Sequence, residues 1–422
     1  MQPSSPGFPS NLLPALLRAA AENGYLTPTA IQAEAIPAIL QGRDVIASAQ
    51  TGSGKTAAFA LPMLHQLAQT ALGAPRRMRG LVLVPTRELA AQVGQAIVTL
   101  ARHLPQRVKV AVVFGGVSIN PQMMNLRGGA DIMVATPGRL IDLIDHNALT
   151  VARVSLLVLD EADRLLDLGF GDELGRILAL LPAQRQNLFF SATFPPAIEA
   201  LAQGILRDPL RIEVQATPQA RLEIVQRAIE VDPGRRTQLL RHLLQTEGLS
   251  RVLVFVATKH AAEIVADKLR KADIQAEPFH GELSQGKRNQ VLNDFKLNLV
   301  RVVVATDVAA RGIDIAQLPA VVNYDLPRSS VDYTHRIGRT GRAGASGLAI
   351  NFVSASTEAH FRLIEKRQRN SIAREQVAGF ERVEAELVNL ADPLQTGGVK
   401  GNRPSKKDKL RAAAQKQSEQ NG

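Results

Sequence analysis

An apolar run, Leu156-Leu157-Val158-Leu159, ends in Asp160-Glu161-Ala162-Asp163, and about a hundred residues earlier stands Ala49-Gln50-Thr51-Gly52-Ser53-Gly54-Lys55-Thr56. A glycine-rich loop closed by Lys-Thr and a carboxylate pair at a strand end are the two halves of a nucleotide hydrolysis site. Gly52 and Gly54 let backbone N–H groups turn toward phosphates, Lys55 reaches the β- and γ-phosphates, and the Thr56 hydroxyl is placed for Mg2+. Asp160, at the carboxyl edge of a sheet, can hold Mg2+ through water, and Glu161 can orient and deprotonate the attacking water. The strict phosphate-loop pattern begins with Gly, whereas Ala49 stands here. A glycine-rich turn with a chance Lys-Thr therefore remains open on the loop alone, as does an Asp-Glu pair that merely caps the next helix.

Charge of the opposite sign lies in the second half. The run His335-Arg336-Ile337-Gly338-Arg339-Thr340-Gly341-Arg342 carries Arg at every third position. At helical spacing these side chains fall near one another on one face. Converging arginines stabilise the charge that develops on a γ-phosphate during phosphoryl transfer. A solvated basic helix face is the alternative, although Gly338 and Gly341 suit a close backbone approach better than an exposed helix.

These groups need rigid edges to hold them. Short apolar runs stand at Asp44–Ala47, Gly80–Val84, Val108–Phe114, Asp131–Ala135, Leu156–Leu159 and Asn187–Phe190. A second series stands at Arg251–Val256, Gln275–Phe279, Val300–Ala305, Ala320–Asn323 and Leu348–Phe352. Helical patterns lie between them, for example Thr56–Gln69, Arg87–Leu100 and Lys259–Lys271. Strands alternating with helices predict parallel sheets covered on both faces. The chain reads as α/β, with two tandem doubly wound domains. The expected divisions are residues 1–215, a linker at 216–221, a second domain at 222–395 and a basic tail at 396–422.

Composition agrees. At 422 residues the chain exceeds one ordinary core, and 45% hydrophobic residues suffice for two. There are no cysteines, which excludes disulfides and thiolate metal sites and fits an intracellular, cytoplasmic enzyme. The first ten residues lack the cationic head and apolar run of a signal peptide, and no run approaches the ~20 apolar residues of a membrane span. Net charge is +11, and the last 27 residues hold seven cations against two anions. That balance suggests either a polyanionic partner or a solubilising tail that is disordered when unbound.

The motifs together have a family likeness. In chain order they include Gly24-Tyr25-Leu26-Thr27-Pro28-Thr29-Ala30-Ile31-Gln32, the phosphate loop, Pro85-Thr86-Arg87-Glu88-Leu89-Ala90, Gly115-Gly116 and Thr136-Pro137-Gly138-Arg139. Asp160-Glu161-Ala162-Asp163 follows, then Ser191-Ala192-Thr193, Phe255-Val256-Ala257-Thr258-Lys259, Gln285 with Arg288, the run from Ala305 to Asp314, and the arginine-rich element. From about Phe8 to Phe380 the chain resembles the DEAD-box RNA helicases, most of all the bacterial RhlE-type branch.

The resemblance implies two RecA-like domains, ATP and Mg2+ as cofactors, and RNA-stimulated ATP hydrolysis that separates short duplexes locally. It implies that Gln32 reads the adenine edge, that Phe8 stacks on the base beside Tyr25, and that Ala49, Gln50, Thr51 and Ser53 complete the phosphate loop. Asp314 would hold the ribose, and Arg339 and Arg342 would be arginine fingers. Asp163, Ser191, Thr193 and His335 would couple hydrolysis to the RNA-bound state. Arg87, Gly116, Thr136 and Arg139 in the first domain, with Thr258, Arg288 and Thr306 in the second, would contact RNA. Hydroxyls, glycine amides and arginines suit backbone contact with little sequence preference. Ribosomal precursors and RNA-decay proteins are compatible partners. An ATP-gated RNA clamp with little unwinding of its own is the alternative. Residues 361–390 are expected to pack on the second domain or to meet another chain.

Overall fold

The computed structural model describes residues 7–48, 53–70, 73, 75–213, 224–310, 318–341 and 347–384. The expected linker at 216–221 and tail at 396–422 lie outside them, as do Ala49 to Gly52, Asp314 and Arg342.

Two all-parallel sheets of seven strands follow one another along the chain. The first uses β1 (Val45–Ser48), β2 (Gly80–Leu83), β3 (Val110–Val113), β4 (Ile132–Ala135), β5 (Leu156–Leu159), β6 (Gln186–Ser191) and β7 (Leu210–Glu213), in the order β3-β4-β2-β5-β6-β1-β7. The second uses β8 (Ile224–Glu230), β9 (Val252–Val256), β10 (Ala276–Phe279), β11 (Val302–Thr306), β12 (Ala320–Asn323), β13 (Gly347–Val353) and β14 (Arg374–Glu375). Its order is β10-β11-β9-β12-β13-β8-β14. Subtracting seven from each number reproduces the first order. The two lobes are topological duplicates, although the sequence shows no short tandem repeat.

Every strand read from the sequence is present within two residues of its expected ends. Three more strands, β7, β8 and β14, escaped the reading. Leu210-Arg211-Ile212-Glu213 exposes half its residues at a sheet edge, and β8 carries Gln226 and Arg227 in its centre. Strands of this kind lack the continuous apolar run that marks a strand buried on both faces. Arg374–Glu375 is too short to carry any period.

Each sheet is covered by helices on both faces. In the first lobe, one core joins Leu16, Ile36, Phe59, Val82 and Phe190, and the other joins Leu83, Leu143, Leu157, Leu165 and Phe189 on the opposite face. In the second lobe the helix Glu358–Gln368 packs Phe361 and Ile364 against Tyr333 and Ala349, while Val377 and Phe380 lean on the core that contains Ile229, Leu243 and Phe352. Through Glu384 the segment after Phe361 therefore belongs to the second lobe. No helix among the described residues is long and apolar enough to cross a membrane.

The helix Arg87–Leu100 bears part of the expected RNA surface, and its seat on the sheet depends on Gly94. A Cβ at Gly94 would lie 2.3 Å from Cγ2 of Val112 on β3. Valine is stiff about χ1 and cannot swing aside. Gly94→Ala is therefore expected to destabilise the protein by about 1–3 kcal/mol, against its better helix propensity. Val112→Ala in the same chain should recover part of that loss in urea unfolding. A more stable single variant would contradict the close packing.

Candidate active site

The sheet order decides which motifs meet. At the carboxyl edge of the first sheet, the phosphate loop follows β1, Ser191 ends β6, and Asp160-Glu161 follow β5, so three neighbouring strands carry the hydrolysis motifs. The next three strands, β2, β4 and β3, are followed by Arg87, Thr136 and Gly116. One edge is thus divided into a nucleotide half and a second half that presents a guanidinium, a hydroxyl and a glycine turn.

In the nucleotide half, Gly54 has a φ of 93° and starts the helix Lys55–Ala68. A Cβ there would lie 2.5 Å from Nε2 of Gln32. Gln32 is fully buried; its Nε2 donates to the Gly54 carbonyl at 3.1 Å and its Oε1 accepts from the Thr29 amide at 3.0 Å. The Thr29 hydroxyl donates to the Ser53 carbonyl at 2.8 Å. The expected adenine reader is therefore also a brace under the phosphate loop, a second task that residue type did not signal. Phe8 and Tyr25 pack, partly buried, against the same core.

Lys55, Asp160 and Glu161 are all nearly inaccessible. Burial pushes the Asp160 carboxyl up to about 6; the neighbouring Glu161 adds to this and Lys55 opposes it. Burial would raise Glu161 too, but Arg164, Lys55 and Arg339 outweigh it and hold that carboxyl below its ordinary value. Arg164 donates to Glu161 Oε2 at 2.8 Å. Glu161 itself has a φ of 50°, a left-handed conformation that costs a non-glycine residue of order 1 kcal/mol. Arg164 is the site residue that the sequence reading missed. Its signal was position: three residues after Glu161 on the helix Ala162–Asp167, it faces back over the carboxylate.

Asp163 accepts from the Thr193 amide at 2.9 Å and the Thr193 hydroxyl at 2.7 Å, while its own amide donates to Ser191 at 3.2 Å. This closed set ties the strand-end carboxylates to the end of β6. His335 of the second lobe is pushed down to about 4 by burial and by Arg164, although Asp163 and Glu161 oppose the shift. It is neutral at physiological pH and stands against these groups.

The arginine-rich element needs correction. Its helix, Ser330–Ile337, ends at Gly338, so Arg339 lies beyond it and does not share a helical face with Arg336. Arg336 turns into its own lobe, where it pairs with Asp307 at 2.6 and 2.7 Å, donates to Asn323 at 2.9 Å and lies over Phe255. Such a network satisfies a buried guanidinium within the fold, and no spacing rule distinguishes it from a site arginine. Among the described arginines of the element, Arg339, buried, is the one whose charge bears on Glu161.

Of the expected RNA residues, Arg87 touches the turn of Gly116, whose φ is 73° and where a Cβ would meet the guanidinium at 2.5 Å. Thr136 accepts from the Gly115 amide at 3.2 Å, and Arg139 donates to the Val117 carbonyl at 2.7 Å. These four form one first-lobe cluster. Arg139 is nine-tenths buried and leaves Nε and Nη1 without hydrogen-bond partners. In the second lobe Thr258 caps the helix Lys259–Arg270 and Thr306 ends β11. Arg288 departs from a free RNA contact: it is buried, pairs with Glu88 of the first lobe at 2.7 Å and lies 4.8 Å from the centroid of Phe279. Beside that bridge a cleft of about 530 Å³ opens between the lobes, lined by Tyr25, Thr56, Gln92, Gln95, Gln285 and Asn289 among others.

The elevated Asp160 value carries a stability consequence. A protonated Asp160 favours the ligand-free fold, and that contribution is complete below the ordinary value of 3.8 and lost as pH rises through about 6. Near neutral pH, Asp160→Asn should therefore unfold at higher urea than the parent, by roughly 1–3 kcal/mol, with hydrolysis abolished. The gap should close near pH 4, and equal stability at neutral pH would contradict the burial cost.

The comparisons agree with this geometry. The DEAD/DEAH box helicase family profile matches residues 29–201, and the helicase conserved C-terminal domain profile matches residues 235–344. The ATP-dependent RNA helicase DeaD of Mycobacterium tuberculosis is 42% identical over 382 residues, covering 90% of this chain and 67% of that one. The DEAD-box ATP-dependent RNA helicase CshA of Bacillus thuringiensis is 38% identical, covering 90% and 71%. The structure of S. cerevisiae Dbp5 bound to RNA and ADP BeF3 is 30% identical with a TM-score of 0.76, covering 87% of this chain and 94% of that one. On its motifs, its duplicated sheets and these likenesses, the chain belongs to the DEAD-box family of ATP-dependent RNA helicases.

Proposed function

We propose that this chain hydrolyses ATP when RNA holds its two lobes together, and that closure separates short RNA duplexes locally. The observation that carries the reading is the split charge set: Lys55, Asp160 and Glu161 come from one lobe, whereas Arg339, which bears on Glu161, comes from the other. Hydrolysis then depends on closure, and any ligand that favours the closed pair stimulates it. In this reading Glu161, kept ionised by Arg164 and Lys55, accepts the proton of the attacking water. Lys55 and Arg339, with Arg342, stabilise charge on the transferring phosphoryl group.

The residues fit Mg2+. Asp160 is a buried carboxylate that its surroundings leave incompletely neutralised, and Thr56 brings a hydroxyl, a hard-oxygen donor set suited to a cation that keeps waters and phosphate oxygens. Among the described residues no group of three or more acidic, His or Cys side chains could hold a metal ion by itself. When bound, Mg2+ would neutralise charge on the phosphates.

The cluster of Arg87, Gly116, Thr136 and Arg139 supports RNA backbone contact, with Thr258, Thr306 and Arg288 facing it from the second lobe once Arg288 releases Glu88. The wording of the motifs supports the RhlE-type branch. A cysteine-free chain that reads backbone rather than sequence is compatible with the cytoplasm and with ribosomal precursors or RNA-decay assemblies as targets.

Steady-state ATP hydrolysis with single-stranded RNA, matched DNA or neither tests the proposal. RNA alone should stimulate strongly. Glu161→Gln should retain ATP and RNA binding yet lose at least a hundredfold in kcat, on the order expected for a general base. Lys55→Ala should weaken ATP binding or turnover sharply. Stimulation by neither nucleic acid, with intact ATP binding, would favour a clamp; normal turnover in Glu161→Gln would overturn the base assignment.

A further inference from the structure

The opposite, amino-terminal edge of the first sheet is also charged. Each of its seven strands is preceded within five residues by Arg or Lys. Helix C-termini lie along this edge and favour cations, which accounts for some of them. Arg185 donates to the Pro182 carbonyl and Arg207 to the Ala183 carbonyl, so that part of the edge is internally satisfied.

The part formed by β3, β4, β2 and β5 is different. Arg77, Arg107, Arg127 and Arg153 are exposed, and no side-chain partner is found for them among the described residues. The carboxylate embedded there, Asp131, is 2% exposed and already accepts from Arg76 and from the Lys109 amide. The four starts are physically adjacent. The Lys109 ammonium donates to the Arg127 carbonyl at 3.1 Å, the Arg76 amide to the Gly128 carbonyl at 3.1 Å, and the Ser155 amide to the Arg79 carbonyl at 2.9 Å. Four strands at about 4.8 Å spacing make a rim roughly 14 Å wide.

We infer that this rim is a second RNA-binding surface, one that grips the phosphate backbone of RNA flanking the segment held at the motif edge. The inference rests on the RNA-dependent activity proposed above. Arginine is the residue type that matches phosphate oxygens bidentately. A duplex presents one charge per about 1.7 Å of axis, so the rim is wide enough to meet at least four phosphates. No aromatic side chain of the described residues is exposed on it, so it offers no stacking platform and would be indifferent to sequence. It lies across the sheet from Arg87, Thr136 and Gly116, so both surfaces can be filled at once. Such an anchor keeps a structured RNA in place while the lobes open and close on one short segment.

The test replaces Arg77, Arg107, Arg127 and Arg153 together by Gln, with the same four changed to Lys as a companion. All four are exposed, and an unchanged urea midpoint would show that the fold is kept. Binding is measured without nucleotide over a salt series, using a long duplex with a single-stranded extension and a short single strand that spans only the motif edge. For the long RNA the Gln variant should lose tenfold or more at low salt, and its log K against log salt slope should fall by about 3–4. The Lys variant should keep most of the slope. ATP hydrolysis stimulated by the short strand should match the parent in both.

Parental affinity and slope for the long RNA would overturn the rim while leaving the proposed activity standing. Loss of short-strand stimulation would overturn it too, because the arginines would then act at the motif edge. So would a Gln variant that loses only its binding to phosphatidylserine vesicles. A parent that shows no RNA stimulation at all would instead count against the activity.

Discussion

The structure depends on the cost of burying charge at one sheet edge. Asp160 and Glu161 are taken out of water, and a carboxylate so placed either neutralises or finds cations. The two residues divide these outcomes. Glu161 has Arg164 at 2.8 Å, with Lys55 and Arg339 nearby, and stays ionised. Asp160 has Lys55 and the Glu161 amide opposing its burial and is left poised near 6. A site with one ionised and one poised carboxylate suits the base and the cation ligand proposed for it.

The same cost gives the second lobe its role. Because part of the charge that steadies Glu161 comes from Arg339, the electrostatics of the first lobe are complete only when the second is docked. The bridge between Glu88 and Arg288 acts on the same interface from the other half of the edge. The hydrolysis motifs and the proposed RNA contacts thus share one contact between lobes. In the proposed mechanism this shared contact is the physical basis for coupling: two ligands that need the same closure favour each other.

Topology makes that sharing possible. Both sheets have the same strand order, so each lobe offers one carboxyl edge, and the first lobe's edge sorts hydrolysis motifs onto β1, β6 and β5 and RNA-contact candidates onto β2, β4 and β3. The amino-terminal edge lies away from these motifs, and among the described residues no side-chain partner is found for four of its arginines, Arg77, Arg107, Arg127 and Arg153.

Much of this was legible in the residues. Buried parallel strands are largely apolar along their length, so all but β7, β8 and β14 could be read directly, and the phosphate loop and strand-end carboxylates announced their chemistry by type and spacing. Other features had no local signal. The edge strand Leu210–Glu213 alternates and exposes half its residues, so its pairing with β1 is visible only in space. Arg336, Arg339 and Arg342 share one spacing, yet Arg336 is bound to Asp307 inside its lobe, because the helix ends at Gly338 and turns the chain between them. Arg288 meets Glu88 across 200 residues of chain, and Gln32 supports a loop 22 residues away. Residue type and spacing determined which groups could do chemistry. Which of them meet, and which are held by a partner of opposite charge, was decided by tertiary structure, because burial and distance set those energies and neither is a local property of the chain.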